Sequence, residues 1–451
     1  MLSSWLLPTV PILLTLTAPL GARQDDAKAA DETLVVRAKS LIVRPGEVVE
    51  NGVLVIEGER ILAAGADVSV PEGARELSAE VACAGFVDGW STLLLDPGSA
   101  RDLGTAASTR TLDGVDPYRA PYRIDEALGA GVTTARLQAG FSANVGGVGA
   151  VVATSTGAPV VLREDACLAV SVGITRGNRS GDVFDRVGEV DRLVGMLEKG
   201  RTYRENHVEY RHELEEWEKA IAEARKELED DFKKAKKKRD KEIEEAKEKG
   251  KEFKEEKYKE DKKPKKPKSD PNSDVLAQVV NGELPLVVEV HRVPELRSLL
   301  EKTAPFDRLR MVLAGCSEAH VFAEEIAERR LPVLLWPTAD PGSRDEFDGY
   351  DPTLAGKLAE AGVEVLFGSG GQSSSRDLRL LASQAVGFGL DREAALHALT
   401  LGPARAFDVA GHVGTLERGK HADVLLLNGD PLSSTSRVQT VISRGRVVVE
   451  Q

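Results

Sequence analysis

The sequence predicts an α/β fold, a parallel sheet or (β/α)8 barrel with β-textured ends and one charged helical insertion. Three observations predict it. From Ala84 to about Gly200, and again from Val275 to about Leu401, apolar strand-like runs precede helical patterns, the rhythm of a parallel sheet wrapped by helices. Outside these stretches, at Leu34–Cys83 and after Leu401, short strand-like runs alternate with Gly and Pro, as in a small β-domain. Between Arg201 and about Pro271 the texture changes to almost continuous charge.

The elements follow in chain order. Leu6–Leu20 is apolar and uncharged but short and broken by Pro8, Pro11 and Pro19, which fits the core of a secretory signal better than a membrane span. The expectation is a signal over residues 1–22, a disordered leader over 23–33 (the mature chain starting near Arg23) and a secreted or periplasmic protein, with a membrane tether as the alternative. The runs LVVRAKSLIV and GVLVIEGERILAAG open the β-domain. PLVVEVHR precedes a helix near Pro294–Lys302, RLRMVLAG one near Ala319–Arg329, and PVLLWP and VEVLFGS recur at similar spacing, the last before Arg376–Gly387. ADVLLLNGDP and QTVISRGRVVV return to β texture.

The insertion carries about 19 basic and about 19 acidic residues between Arg211 and Lys263, so its net charge is near zero. Tyr210, Leu214, Trp217, Ile221, Ala224 and Leu228 recur in steps of four and three, a narrow apolar stripe on one helix face. Two readings stand: a solvated helix or hairpin that lengthens a loop, or a coiled-coil arm for self-association or a partner. Lys233–Lys241 is balanced by neighbouring carboxylates, and the whole chain, with 73 acidic against 60 basic residues, is at −13. Nucleic acid is excluded as the main partner, and the polarity excludes a polytopic membrane protein. Cys83, Cys167 and Cys316 form no CxxC pair and are expected to be buried free thiols rather than a disulfide framework or a zinc-thiolate site.

Several ordered motifs resemble the amidohydrolase superfamily, in particular its imidazolonepropionase-like and prolidase-like members. They are GVLVIEGERILAAGADVSVPEGARELSAEVACAGFVDG near the start, LTLGPARAFDVAGHVGTLERGKHADVLLLNGDPL near the end, ALGAGVTTARLQAG as the second barrel strand, and the glycine-rich NVGGVGAVV. The resemblance implies a TIM-like barrel over 85–200 and 272–401, beside a small composite β-sandwich built by both chain ends, 34–84 and 402–451, with 201–271 as the insertion. It also implies hydrolysis of C–N and related bonds by one or two divalent metals at the C-terminal ends of the strands. There the metal acidifies a water and polarises a carbonyl while an aspartate takes the proton.

The residues this chemistry needs are missing from the positions the resemblance assigns. The family's His-x-His after the first strand falls on Trp90 and Thr92; an indole has no lone pair for a metal and a lone hydroxyl is a poor ligand. The fifth-strand histidine falls on Glu289, with His291 two residues on; a register shift of two would instead put His291 at the ligand position. The sixth-strand histidine falls on Gly315 and the eighth-strand aspartate on Gly370. A glutamate-bearing turn of near relatives falls on Gly173–Arg176. Asp88, Glu289 and His291 remain as candidate polar residues of a residual pocket; none is assigned as catalytic or as a metal ligand.

Other candidates weigh less. Glu318 and His320 fall where a helix begins, an ordinary place for an acidic residue. Gln372–Ser375 reads as a cap or loop, and Gly368–Gly371 matches no phosphate-loop spacing. His397, His412 and His421 lie in the C-terminal motifs, and His207 and His212 in the arm. The expectation is a pseudo-hydrolase without its metal centre, binding a small-molecule ligand or pairing with an active relative or a second copy, and needing no cofactor. The alternatives are an active C–N hydrolase with a rearranged site around Glu289 and His291, in which a zinc-like divalent metal would return, and a scaffold acting through the helical arm.

Overall fold

The computed structural model describes residues 33–95, 107–118, 121–138, 145–155, 160–172, 183–249, 263–336, 351–370 and 375–451. The signal and leader expected over 1–33 (except Thr33), the Gly173–Arg176 turn and Gln372–Ser374 lie outside these residues.

Two sheets organise the chain. The first has seven strands, taken from both ends: β1 (Thr33–Arg44), β2 (Glu47–Glu57), β3 (Arg60–Gly65), β4 (Arg75–Ala84), and, from the far end, β13 (Val424–Leu427), β14 (Val438–Ser443) and β15 (Arg446–Glu450). Their order is β15-β14-β13-β4-β1-β2-β3. The junction is the antiparallel pairing of β13 with β4, Val424 opposite Ala84. Alternating apolar residues fuse the two halves into one core: Leu34, Val36, Leu54 and Ala82 from the start pack with Leu416, Val424, Leu426 and Ile442 from the end. Burying such a face, at ~25 cal/mol per Å² of apolar surface, is what holds two distant segments together.

The second sheet is an eight-stranded barrel in chain order: β5 (Phe86–Ser91), β6 (Val132–Leu137), β7 (Val145–Ala153), β8 (Val160–Ser171), β9 (Leu286–Val290), β10 (Met311–Gly315), β11 (Val333–Leu335) and β12 (Val365–Phe367). The seam between β12 and β5 is drawn together where Gly370 N–H donates to Trp90 O at 3.0 Å and Ser369 N–H to the Asp88 carboxylate at 2.8 Å. The strict β/α repeat expected over 85–200 is not followed. β7 runs antiparallel to both β6 and β8. Seven residues separate β6 from β7 and six separate β7 from β8, too few for the dozen or so that a parallel crossover needs. The glycine-rich run is therefore the middle of a meander, and the other strands are parallel to their neighbours.

Around the barrel lie α1 (Pro121–Gly129), α2 (Val183–Lys249), α3 (Pro271–Val280), α4 (Val293–Thr303), α5 (Ala323–Glu328), α6 (Leu354–Glu360), α7 (Leu378–Gly387), α8 (Arg392–Leu399) and α9 (Leu401–Ala406). The outer core between strands and helices is separate from the inner core on the barrel axis. The C-terminal portion after 402 does not go directly into the first sheet: Ala404, Phe407, Val409 and Val413 pack into the inner core.

The insertion does not begin a new element at Arg201. α2 runs unbroken for 67 residues, about 100 Å at 1.5 Å per residue. Its early turns bury Val190, Leu193 and Leu197 against the barrel shell. At Gly200, where a Cβ would meet Leu276 Cβ at 2.7 Å, α3 crosses closely. The charge boundary marks where burial ends, and the helix continues past it.

Beyond Gly200 the half-buried positions with described burial are Tyr203, Arg204, His207, Tyr210, Leu214, Trp217, Ile221 and Ala224, which apart from Arg204 are the predicted four–three stripe extended upstream. Over part of this stripe lies the chain's own exit segment, residues 263–270. Pro264, Pro267 and Asp270 are half-buried while the residues between them are exposed, the three-residue period of a polyproline II helix. Lys263 Nζ sits 5.6 Å from the centre of the Trp217 ring. At the other end Asp270 N–H donates to the Tyr203 hydroxyl at 3.4 Å, and the Asp270 carboxylate pairs with Lys199 at 3.2 Å. Fourteen helical residues from Tyr203 to Trp217 span about 21 Å; seven polyproline residues from Lys263 to Asp270 span about 22 Å. The two pieces are commensurate, so the segment straps the helix antiparallel.

Candidate functional site

The site expected from the sequence lies where β5, β9, β10, β11 and β12 end. Trp90, Glu289 and His291 are each about 3% exposed, and strand alternation turns Glu289 and His291 to the same face. His291 Nδ1 lies 2.9 Å from Ser317 Oγ, and His291 Nε2 lies 3.5 Å from Glu289 Oε1. The second carboxylate oxygen, Glu289 Oε2, is buried with no hydrogen-bond partner.

The positions assigned to missing metal ligands converge on an aromatic plug. Trp90 meets Trp336 edge to face, ring centres 4.6 Å apart, and His291 meets the same indole at 6.0 Å. Gly315 has φ +80°, and a Cβ there would stand 2.7 Å from His291 Nε2 and 2.9 Å from Trp336. Gly370 has φ +71°, and a Cβ there would stand 2.7 Å from Trp336 Cβ. Both backbones are left-handed, a conformation open to glycine and strained for other residues. A histidine at 315 would project into the His291 and Trp336 rings, and an aspartate at 370 into Trp336. The donor set offers one carboxylate and one imidazole beside two indoles, and among the described residues no cluster of three His, Cys, Asp or Glu could hold a metal. These residues do not fit the divalent centre that the resemblance implies.

Asp88 and Thr92 are buried, but Asp88 makes its bonds at the barrel seam. Its carboxylate accepts from Ser369 N–H and Oγ–H at 2.8 and 2.7 Å, from Ser375 Oγ–H at 2.7 Å and from Trp90 N–H at 3.1 Å. Ser375 Oγ also lies 2.8 Å from Ser91 Oγ. Burial raises the Asp88 pKa and these four donors act against the rise. Asp88 ties β5 to the segment after β12, while His291 bonds to both Glu289 and Ser317. The minor candidates resolve as ordinary structure. Glu318 accepts from Val293 N–H at 2.7 Å, satisfying the first turn of α4, and His320 is exposed.

Sequence reasoning missed Ser317, Trp336 and Arg136. Arg136 on β6 is fully buried. Its Nε donates to Gly89 O at 2.5 Å, its Nη1 lies 2.9 Å from Cys167 Sγ, and its guanidinium stacks 4.7 Å from the Phe407 ring, leaving Nη2 without a hydrogen-bond partner. A lone charged residue inside the strand-like run VTTARL was the available signal. Ser317 and Trp336 had none, since each is brought to the site only by barrel closure. The three cysteines are free and buried as expected. Burial pushes the Cys83 thiol up to about 12, and burial with the nearby Glu289 carboxylate pushes Cys316 up as well.

A family model described as "Amidohydrolase family" matches residues 386–449. Among solved structures, an amidohydrolase from Thermotoga maritima MSB8 superposes with a TM-score of 0.70 at 20% identity, covering 93% of this chain and 100% of that one. A prolidase complexed with N-methylphosphonate-L-proline gives 0.52 at 15%, covering 93% and 100%, and a Xaa-Pro dipeptidase with bound methionine gives 0.52 at 14%, with the same coverage. No curated protein matches the sequence. The resemblance to the amidohydrolase superfamily is borne out, and at these identities the structural likeness speaks for the fold.

Proposed function

We propose that this chain of amidohydrolase type has given up the divalent-metal chemistry of its relatives and serves as a pseudo-hydrolase, binding a small molecule or pairing with an active relative. One observation carries the reading: the His291 and Trp336 rings occupy the space into which a side chain at 315 would project, and the Trp336 indole the space in front of 370. An ion needs three or four close donors at about 2.0–2.2 Å, and an indole ring face supplies none. Export fits the N-terminal sequence and belongs to the same proposal. Purified full-length protein, equilibrated with zinc, manganese or iron and then desalted, should retain far less than one equivalent by elemental analysis. One tightly held ion per chain, released by substituting Glu289 or His291, would overturn the reading.

A second reading, a hydrolase of C–N bonds with a rearranged site, is favoured by a different observation. His291 is placed between a hydroxyl and a carboxylate, with Ser317 on Nδ1 and Glu289 on Nε2. That is the arrangement of a base poised between a nucleophile and an orienting acid. The scaffold reading draws on α2, whose stripe is partly covered by its own strap.

A further inference from the structure

We propose that Ser317 is an acyl-accepting nucleophile, with His291 as its base and Glu289 orienting the imidazole, and that the substrate class is short-chain acyl amides. The proposal rests on the rearranged-hydrolase reading and names the attacking group of that site.

Four features converge on Ser317. Its Oγ is within hydrogen-bond distance of a histidine nitrogen. The opposite nitrogen faces a buried carboxylate at 3.5 Å, which favours the ring proton on Nε2 and turns the Nδ1 lone pair to the Ser317 hydroxyl. All three side chains are nearly inaccessible, with Ser317 at 4%, His291 at 3% and Glu289 at 3%, so water competes little for their hydrogen bonds. The backbone holds the pair rigidly: Glu318 N–H donates to His291 O at 3.0 Å, Cys316 N–H to Val290 O at 2.8 Å and Ala319 N–H to Cys316 O at 2.9 Å. Cys316, the residue before the serine, sits at φ +50°, a conformation strained for a non-glycine residue. The chain thus turns sharply from the end of β10 into the helical turn Ala319–Phe322, a tight strand-to-helix turn that presents the hydroxyl.

Beside that hydroxyl is a cavity of about 50 Å³ lined by Gly315, Ser317, Leu335, Trp336, Leu354 and Phe367, among others. It is small and mostly apolar, and suits a short acyl chain rather than a peptide. Cys316 is a poorer nucleophile here, because burial and Glu289 keep its thiol protonated.

The step balances without a metal or a redox partner. Ser317 Oγ forms a bond to the acyl carbon as its proton passes to His291 Nδ1. The C–N bond then breaks, and the leaving nitrogen takes that proton. Water repeats the sequence on the acyl-serine, giving the carboxylic acid and restoring both side chains. The Glu289 carboxylate beside Nε2 stabilises the transient imidazolium.

The test uses the full chain, a fluorophosphonate probe and two substrates, p-nitroacetanilide and p-nitrophenyl acetate. The expected result is one phosphonyl adduct, located by mass spectrometry on Ser317, absent in Ser317→Ala and formed at least ~100-fold more slowly in His291→Gln. If Ser317→Ala misfolds by circular dichroism, Ser317→Cys should be alkylated by iodoacetamide in preference to the native cysteines. An unlabelled wild type, a label elsewhere, or an adduct rate unchanged in His291→Gln overturns the proposal. Turnover that persists in Ser317→Ala overturns the nucleophile and leaves the rearranged hydrolase standing. A Ser317 adduct without any turnover supports the activated serine and removes the hydrolase reading.

Discussion

Two glycines and a tryptophan decide what the barrel mouth can hold. Gly315 and Gly370 are left-handed, and both face Trp336. Restoring an acid by Gly370→Asp forces a Cβ against the indole and a non-glycine into φ +71°, at an expected cost of about 3 kcal/mol or more. In a Trp336→Ala background the steric part should vanish, so denaturant unfolding of the two single variants and the double variant should give a coupling of about 1–3 kcal/mol. Strict additivity would mean that Trp336 does not fill the position. At this scale the sequence was informative about absence. Trp90, Gly315 and Gly370 can be read directly as residues that offer a metal no donor and take no proton, and Thr92 as a poor ligand. It was silent about replacement, since Ser317 and His291 are 26 residues apart and meet only because β9 and β10 are parallel neighbours in register.

At the scale of elements, strands were the most legible part. Every strand-like run from LVVRAKSLIV to QTVISRGRVVV forms one strand or a pair, because apolar alternation and bounding Gly or Pro residues are local signals. Orientation was not legible: the direction of β7 depends on connection length and on its neighbours. The arm was half legible. Its stripe was visible, but the cover over it was not, since a proline every third residue packs on a helix only when the lengths match. This gives a further prediction. Changing Pro264 and Pro267 together to glycine removes the stiffness that keeps the strap extended. The expected result is a red shift of Trp217 emission, read against a Trp217→Phe control, and faster amide exchange along Tyr203–Trp217. Unchanged exchange would mean the stripe is covered in some other way.

Across the whole molecule, the buried apolar clusters lie in one sheet built from both chain ends and in the barrel with its helices; the resemblance had implied a barrel and a composite β-domain, and among the described residues that β-domain is a single seven-stranded sheet rather than a sandwich. The join between the sheets contains a titrating cluster. His421 stacks on His412 with ring centres 5.3 Å apart, and Asp423 accepts from Arg444 N–H at 2.8 Å. Burial, aided by Arg60, Arg444 and His412, lowers His421 to about 4, while burial raises Asp423 to about 6. The two act in opposite directions. His421 contributes stability that is present above its unfolded pKa, near 6.5, and is lost as pH falls towards 4. Asp423 contributes stability that is present below its unfolded pKa, near 3.8, and is lost as pH rises through about 6. His421→Asn should therefore flatten the loss of thermal stability between pH 6.5 and 4. Asp423→Asn should be better tolerated at pH 7.5 than at pH 4. Melting curves across this range check both signs, and parallel curves for wild type and variants would contradict them.

The pairing of β4 with β13 has a consequence for how the chain is made. Ala84 waits for Val424, some 340 residues downstream. At about 5–20 residues per second, roughly 17 to 70 seconds of synthesis pass before the partner strand emerges. During that interval the edge of β4 is open, with unpaired amides and carbonyls beside an apolar face, the kind of surface that joins other chains. The barrel and its 67-residue helix are synthesised within the same interval. A nascent chain halted before residue 424 should therefore engage holdase chaperones strongly, and release them once the last three strands have cleared the ribosome.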